Sequence, residues 1–269
     1  MRLGICTIQR DRGRWLAEWV AFHYLVGFRK FYLYLHKITD DSKEVAIRLQ
    51  REFDVKCFTI PDDTQKPQLV SYQHAYQEFG HEIDWMAFID GDEFLFPSEG
   101  LAIGPVLERF RYEKLSAVGV WWLCYGSGGH IDEPEGLIIE NYTMRASKDF
   151  EANRHIKSIV RGGQGKFCSV TLNSHVFNTI YGTQDENLSP VVQAFNAGME
   201  PSYNCLRINH YVCQSLAYFK NFKQRSGSAD AGSESVRGDD WWERHDRNDE
   251  FDDSALKYSD ELKKLLVTL

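Results

Sequence analysis

The stretch 85–97, WMAFIDGDEFLFP, places the tightest limit on how this chain folds. Met86, Ala87, Phe88 and Ile89 are apolar without alternation, run into Asp90-Gly91-Asp92-Glu93, and give way to Phe94-Leu95-Phe96 before Pro97 ends the run. A short segment that is apolar on both faces predicts a central strand covered by helices on each side. Carboxylates directly after such a strand are costly to bury. They belong at its C-terminal end, the edge where ligands of open α/β sheets collect. Gly91 is expected to let the backbone turn sharply, so that Asp90 and Asp92 aim at one point. Two oxygen donors there suit a hard divalent cation, Mg²⁺ or Mn²⁺, which a phosphate-bearing substrate would complete. The plain alternative is a solvated acidic turn, which the apolar frame on both sides disfavours.

The segments around this run alternate. Strands are expected over 3–8, 31–35, 55–60, 85–89 and 117–124, and helices over 12–26 (closed by Gly27), from Asp40-Asp41-Ser42 through 53, over 67–79 and over 101–112. Alternation of this kind predicts an α/β fold with a mostly parallel sheet and helices on both faces. After Tyr125 the pattern changes to a glycine-rich loop, Gly126-Ser127-Gly128-Gly129, and shorter strands over 137–145, 156–161, 167–172 and 205–212. The stretch 226–240, SGSADAGSESVRGDD, reads as a mobile loop, and 254–266 as a closing amphipathic helix. The expected organisation is one domain with a donor half over 1–125, an acceptor and catalytic half over 126–225, and a loop and helix over 226–269.

With 269 residues and a net charge of −8 the chain is large enough for a real core and too acidic for general nucleic-acid binding, so a polyanionic ligand needs a local basic patch. No run reaches the roughly 18 apolar residues of a membrane span. The start, MRLGICTIQRDRG, lacks the long apolar region of a secretory signal. The six scattered cysteines, without a C-x-x-C pair, read as reduced thiols, and the expected location is cytoplasmic.

Chemistry-bearing residues fall mainly after the strands. Gln9-Arg10-Asp11 and Asp40-Asp41 share the sheet edge of Asp90, where an acidic residue bonds ribose hydroxyls or simply caps a helix. Trp121-Trp122 lead into the glycine-rich loop and His130, and aromatics beside such a loop suit a sugar-binding surface. His130, Asp132, Glu133 and Glu135 offer a general base, Glu135 being preferred. His210 ends a strand and precedes a helix over 215–225 carrying Lys220, Lys223 and Arg225. It would give a nitrogen to the metal of the aspartates, and the basic residues would hold a diphosphate. Glu18 and His23, on the first helix, read as structural.

The ordered set Trp15-Leu16-x-Glu18-Trp19-x-x-x-His23, Gly27, Phe31-Tyr32-Leu33-Tyr34, Gln68, Trp85-x-Ala87-Phe88-Ile89-Asp90-x-Asp92-Glu93-Phe94-Leu95, Gly126-Ser127-x-Gly129-His130, Tyr142-x-x-Arg145, Lys157-Ser158-Ile159, Asn209-His210-Tyr211, Ser215, Phe219, Lys223 and Arg225 resembles the glycosyltransferases of family 92 and related family-2-like enzymes. It extends over nearly the whole chain. The family's Lys-Asn-Glu after the first strand is Gln9-Arg10-Asp11 here, and its Arg-Gly after the basic helix is Arg225-Ser226-Gly227. The resemblance implies a Rossmann-like GT-A fold with a smaller mixed-strand acceptor side, a nucleotide-sugar donor, manganese on Asp90 and Asp92, and inverting transfer, often of galactose, to a sugar hydroxyl.

The resulting expectation is a metal-dependent hexosyltransferase using a UDP-sugar, with a glycan or lipid-linked saccharide as acceptor. Peripheral association with a membrane carrying that acceptor is compatible with it. Metal ligands are expected at Asp90, Asp92 and His210. Donor contacts are expected from Thr7, Arg10, Asp40, Gln68, Asp90, Gly91, Lys223 and Arg225. Acceptor contacts are expected from Trp121, Trp122, Gly129 and His130, and catalysis from Glu135, His130 and Asp132. A metal-dependent nucleotidyltransferase or phosphohydrolase, or a carbohydrate-binding protein without catalysis, are the alternatives.

Overall fold

The computed structural model describes residues 1–163, 165–231 and 235–269. In chain order the first strands are β1 (Leu3–Gln9), β2 (Lys30–His36), β3 (Val55–Ile60), β4 (Trp85–Phe88), β5 (Glu93–Pro97) and β6 (Ala117–Cys124). They are followed by β7 (Met144–Arg145), β8 (Ile156–Arg161), β9 (Cys168–Thr171), β10 (Phe177–Thr179), β11 (Thr183–Gln184), β12 (Leu206–His210) and β13 (Glu250–Phe251). Helices α1 (Gly13–Val26), α2 (Ser42–Glu52) and α3 (Pro67–Phe79) alternate with the first strands. The rest are the short α4 (Gly104–Glu108), α5 (Ile138–Asn141), α6 (Leu216–Tyr218) and α7 (Gln224–Ser226), then α8 (Asp239–His245) and α9 (Ser259–Leu266).

Nine strands make one sheet in the order β3-β2-β1-β4-β8-β6-β12-β5, with β11 beside β6. The β1–β4 group is parallel, β8 runs antiparallel to both β4 and β6, and β12 is parallel to β6 and antiparallel to β5. The sheet is therefore mostly parallel, and strands from both sides of the glycine-rich loop enter it. The unalternating apolar runs are explained by the two cores they serve. Leu3, Ile5, Phe31, Leu33, Leu35, Trp85 and Ala87 face the larger core with α1 and α2. Cys6, Tyr32, Tyr34, Met86 and Phe88 face the opposite one with Tyr72, Ala75 and Tyr76 of α3.

Gly27 closes α1 at φ 122°, and its N–H reaches the carbonyls of His23 and Tyr24. His23 is buried between Trp19 O, 2.8 Å from Nδ1, and the Leu95 N–H, which donates to Nε2 at 3.1 Å. The expected strand over 137–145 is instead a helical turn and a two-residue strand. Its cause is Glu18, whose buried carboxylate accepts from Ile138 N at 2.9 Å and Ile139 N at 3.2 Å, satisfying a helix start from a distant element. Burial raises the Glu18 carboxyl to about 7 against those two bonds. The expected helix over 101–112 shortens to α4, because the following residues tighten into i→i+3 bonds and the Arg161 guanidinium takes the carbonyls of Phe110, Arg111, Glu113 and Leu115. Among the described residues no helix is long and apolar enough to cross a membrane.

Candidate functional site

The parallel strands β1, β2 and β4 end on one edge, and there a cleft of about 430 Å³ opens. Arg10, Gln68, Asp90, Gly91, Lys223 and Arg225, named from the sequence as donor contacts, line it together with Asp92, named as a metal ligand. Six basic side chains border it (Arg10, Arg12, Lys37, Lys223, Arg225 and Arg237) against three acidic ones (Asp11, Asp90 and Asp92). In a chain of net charge −8 this is the local reversal that a polyanion requires. Arg225 and Arg237 have no carboxylate partner among the described residues. Two residues of the rim, Asp11 and Lys37, are held in left-handed backbone at φ 48° and 52°. Asp11 binds the next loop from there, accepting from Thr39 N at 2.5 Å and Thr39 Oγ1 at 3.0 Å.

The two aspartates of the floor are held differently. Asp90 Oδ1 accepts from Gln68 Nε2 at 2.6 Å and Tyr72 OH at 3.3 Å, and its Oδ2 accepts from Lys157 Nζ at 2.9 Å. Lys157, from β8, is completely buried and also donates to Ser174 O at 3.0 Å. Burial pushes the Asp90 carboxyl up, but the Lys157 charge beside it wins and holds it below the usual range. Glu93 completes this cluster: its Oε2 accepts from Asp90 N at 2.8 Å, Lys157 Nζ lies 3.9 Å from Oε1, and burial keeps its carboxyl protonated well past the ordinary value.

Asp92 contacts Lys223 Nζ through Oδ2, while Oδ1 lies 3.7 Å from His210 Nε2. Burial raises the Asp92 carboxyl, and the charges of Lys223 and Arg12 reverse this and hold it far below the usual range. Burial lowers His210 to about 3 against the pull of Asp92, so the imidazole is neutral with a lone pair to offer. The 3.7 Å gap from Nε2 is too long for a hydrogen bond yet suits two ligands of one ion; the ring's other nitrogen, Nδ1, is buried with no hydrogen-bond partner among the described residues. Carboxylate oxygen and imidazole nitrogen together fit Mn²⁺. Among the described residues no group of three or more His, Cys, Asp or Glu side chains converges as a metal cluster. Both oxygens of Asp90 are engaged by Gln68, Tyr72 and Lys157.

Gly91 does not adopt a positive φ; what crowds it is the amide end of the Gln9 side chain. A Cβ there would sit 2.1 Å from Gln9 Oε1. Arg12 locks the turn, donating to Gly91 O at 2.9 Å and to Tyr218 OH at 2.6 Å, with its guanidinium 4.5 Å over Trp15. Of the remaining donor expectations, Thr7 is buried beneath the floor and accepts from Gln9 Nε2 at 2.9 Å. Asp40 is occupied with backbone, accepting from Gly13 N at 2.8 Å and Ser42 N at 3.0 Å. Lys220 is exposed and does not border the cleft.

Strand alternation separates the two acceptor tryptophans. Trp121 is buried with Ile156, Val176 and Val191, and its Nε1 donates to Asp185 Oδ2 at 3.3 Å. It offers no binding surface. Trp122 faces the other way, half-buried, with the rings of His210, His155 and His175 at 4.1, 4.8 and 5.3 Å. Gly129 is exposed, and His130 Nε2 lies 3.1 Å from Asn141 O, where it braces the loop. Glu135 is 98 % exposed, with Arg14 at 3.6 Å, and Asp132 is exposed too; none of Glu133, Glu135, Asp132 and His130 borders the cleft. Glu133 is the sheltered acid of that loop, at 19 % exposure, with Arg14 at 3.3 Å. Burial raises its carboxyl, opposed by Arg14 and Arg12.

The 226–240 stretch contributes to the site where it is described. Gly227, Ser228 and Ala229 line the cleft, and Asp230 Oδ1 accepts from Gln68 N at 2.9 Å. Residues 232–234 lie outside the described residues. Sequence reading gave no role to Arg12, Lys157, Glu93 or Arg237. Lys157 carried a signal, a lysine between Ile156 and Ile159-Val160 in an expected strand, where a charge needs a buried partner.

The profile of glycosyltransferase family 92 matches residues 3–225. The chain belongs to this family. Its relatives include family 92 proteins of Oryza sativa subsp. japonica (25 % identical over 81 % of this chain and 34 % of that protein) and Ricinus communis (27 %, over 80 % and 36 %). One from Arabidopsis thaliana is 26 % identical over 90 % of this chain and 44 % of its own length. The chain thus spans between a third and a half of the length of these curated relatives. Among solved structures, S. aureus TarS 1–349 in complex with UDP-GlcNAc shares 10 % identity at a TM-score of 0.37, over 60 % of this chain and 45 % of that one. Glucosyl-3-phosphoglycerate synthase of Mycobacterium tuberculosis, in complex with Mn²⁺, UDP and glucosyl-3-phosphoglycerate, shares 14 % at a TM-score of 0.32, over 45 % and 44 %. The family assignment rests on the sequence match.

Proposed function

We propose that this chain is the transferase domain of a metal-assisted glycosyltransferase that moves a hexose from a UDP-sugar to a glycan hydroxyl with inversion. The observation that carries this reading is the cleft at the ends of β1, β2 and β4, where six basic side chains surround Asp90 and Asp92. Uridine and galactose follow from the family resemblance. Arg225 and Arg237, with no carboxylate partner among the described residues, and Arg10, 4.0 Å from Asp11, would hold a diphosphate at the rim, and Arg12 fixes the Asp90–Asp92 turn against Tyr218. Mn²⁺ or Mg²⁺, held by Asp92 and His210, would supply Lewis-acid neutralisation of the departing diphosphate.

In a single displacement the acceptor oxygen bonds to the sugar C1, the C1–O bond to the diphosphate breaks, and UDP leaves with the electron pair. The acceptor proton goes to a base on the opposite side. Neither Glu133 nor Glu135 borders the cleft, and we assign the base to Glu133 in place of Glu135 because Glu133 is the sheltered one, its carboxyl raised by burial and within electrostatic range of Arg12 on the cleft wall. A lipid-linked acceptor would bring the domain to a membrane surface, and the six free cysteines suit the reducing cytoplasm.

UDP release from a panel of UDP-sugars, with and without Mn²⁺, tests the reading. The expected result is slow, metal-dependent hydrolysis of UDP-galactose, together with UDP binding by calorimetry. No UDP binding in the presence of Mn²⁺ would refute it.

A further inference from the structure

We propose that Lys223 is an exchangeable stand-in for the divalent cation on Asp92, so that metal and nucleotide binding are coupled through this one side chain. The inference rests on the metal-assisted reading above.

The two aspartates of the turn carry counter-ions of opposite character. Lys157 belongs to a central strand, has no exposed surface and is held by both Asp90 and Ser174. Lys223 ends the π-helical turn Phe219–Lys223 between α6 and α7, borders the open cleft and keeps 14 % of its side chain exposed. Its ammonium contacts Asp92 Oδ2, while Oδ1 faces His210 across 3.7 Å. One of the two metal-facing residues is therefore already paired with a cation, carried on a flexible four-carbon stem. A diphosphate entering between Arg225, Arg237 and Arg10 offers that ammonium another anion within the same cleft. Lys223 turning to the phosphates frees Asp92 for the ion. By linkage, metal must then favour nucleotide by the same factor.

Mn²⁺ binding to the whole chain, followed by electron paramagnetic resonance of the free ion with and without UDP, reads this directly and needs no turnover. Lys223→Gln removes the competitor, and Lys220→Gln removes the same charge from the exposed face of the same segment. Without UDP, Lys223→Gln should bind Mn²⁺ about tenfold tighter than wild type, the size expected for losing one charge-assisted bond to the ligand. UDP should then improve Mn²⁺ affinity far less than it does in wild type. Lys220→Gln should match wild type. Thermal melting gives a second reading: Lys223→Gln, with Asp92 left unpaired, should melt lower without metal and regain more with Mn²⁺ than wild type does. Equal Mn²⁺ affinity in wild type and Lys223→Gln, or the same gain in Lys220→Gln, overturns the exchange while leaving the metal-assisted reading intact. If no form binds Mn²⁺ even with UDP, the exchange and the metal both fail, and UDP binding alone then decides the donor site.

Discussion

Replacing Lys157 by Met tests whether the buried lysine is what lets Asp90 stay ionised at the floor of the cleft. The thioether side chain fills the space of the lysine stem, so the main loss is the charge and its bonds to Asp90 Oδ2 and Ser174 O. Breaking a fully buried pair by removing one partner costs about 3–5 kcal/mol. Here Lys157 is wholly buried but Asp90 keeps 33 % of its side chain open to the cleft, so water relieves part of the stranded charge. Roughly 2–3 kcal/mol remains, which for a domain of this size lowers Tm by about 5–10 °C at pH 7. The pH dependence has a definite sign. Lys157 depresses the folded-state pKa of Asp90, so its stabilisation is complete above the unfolded Asp value and fades as pH falls through the folded one. The gap between wild type and Lys157→Met should therefore be widest near neutrality and narrow below about pH 4. Adding Asp90→Asn to Lys157→Met removes the stranded charge and should recover part of the loss. Melting curves from pH 3 to 8 on the three proteins are the assay. An unchanged Tm at pH 7, a gap that widens on acidification, or a double variant less stable than Lys157→Met would each refute the role given to Lys157.

Two further outcomes follow from the site. Gly91→Ala puts a Cβ 2.1 Å from Gln9 Oε1 and displaces the Gln9 amide from Thr7 Oγ1, which should cost about 1 kcal/mol, the worth of that bond, and weaken UDP binding, and Gln9→Ala in the same chain should leave no further loss from Gly91→Ala, as melting and calorimetry would register. Glu133→Gln should lower the transfer rate by about 10²–10⁴ with UDP binding intact, while Glu135→Gln, at a residue 98 % exposed, should stay within about twofold; the reverse pattern would return the base to Glu135.

Much of this molecule is set by short-range pattern. The unalternating runs of β1, β2 and β4 specify strands buried on both faces, and the acidic turn after β4 falls at the sheet edge because charge cannot follow the strand into the core. Gly27, the start of α3 at Pro67 and the extent of β3, β6 and β8 were legible for the same reason: each rests on local chemistry or on an uninterrupted period. Tertiary structure decided what depends on distant partners. Glu18 turns the expected strand after Leu137 into a helical start by supplying a carboxylate from α1. Alternation along β6 sends Trp121 into the core and leaves Trp122 beside His210. Asp90 and Asp92, two residues apart and identical in kind, acquire different counter-ions because β8 delivers Lys157 to one and the segment after β12 delivers Lys223 to the other. A sequence carries the charge of each side chain, but which opposite charge it meets is fixed only when strands far apart in the chain are laid side by side, and at this site that pairing separates the two aspartates.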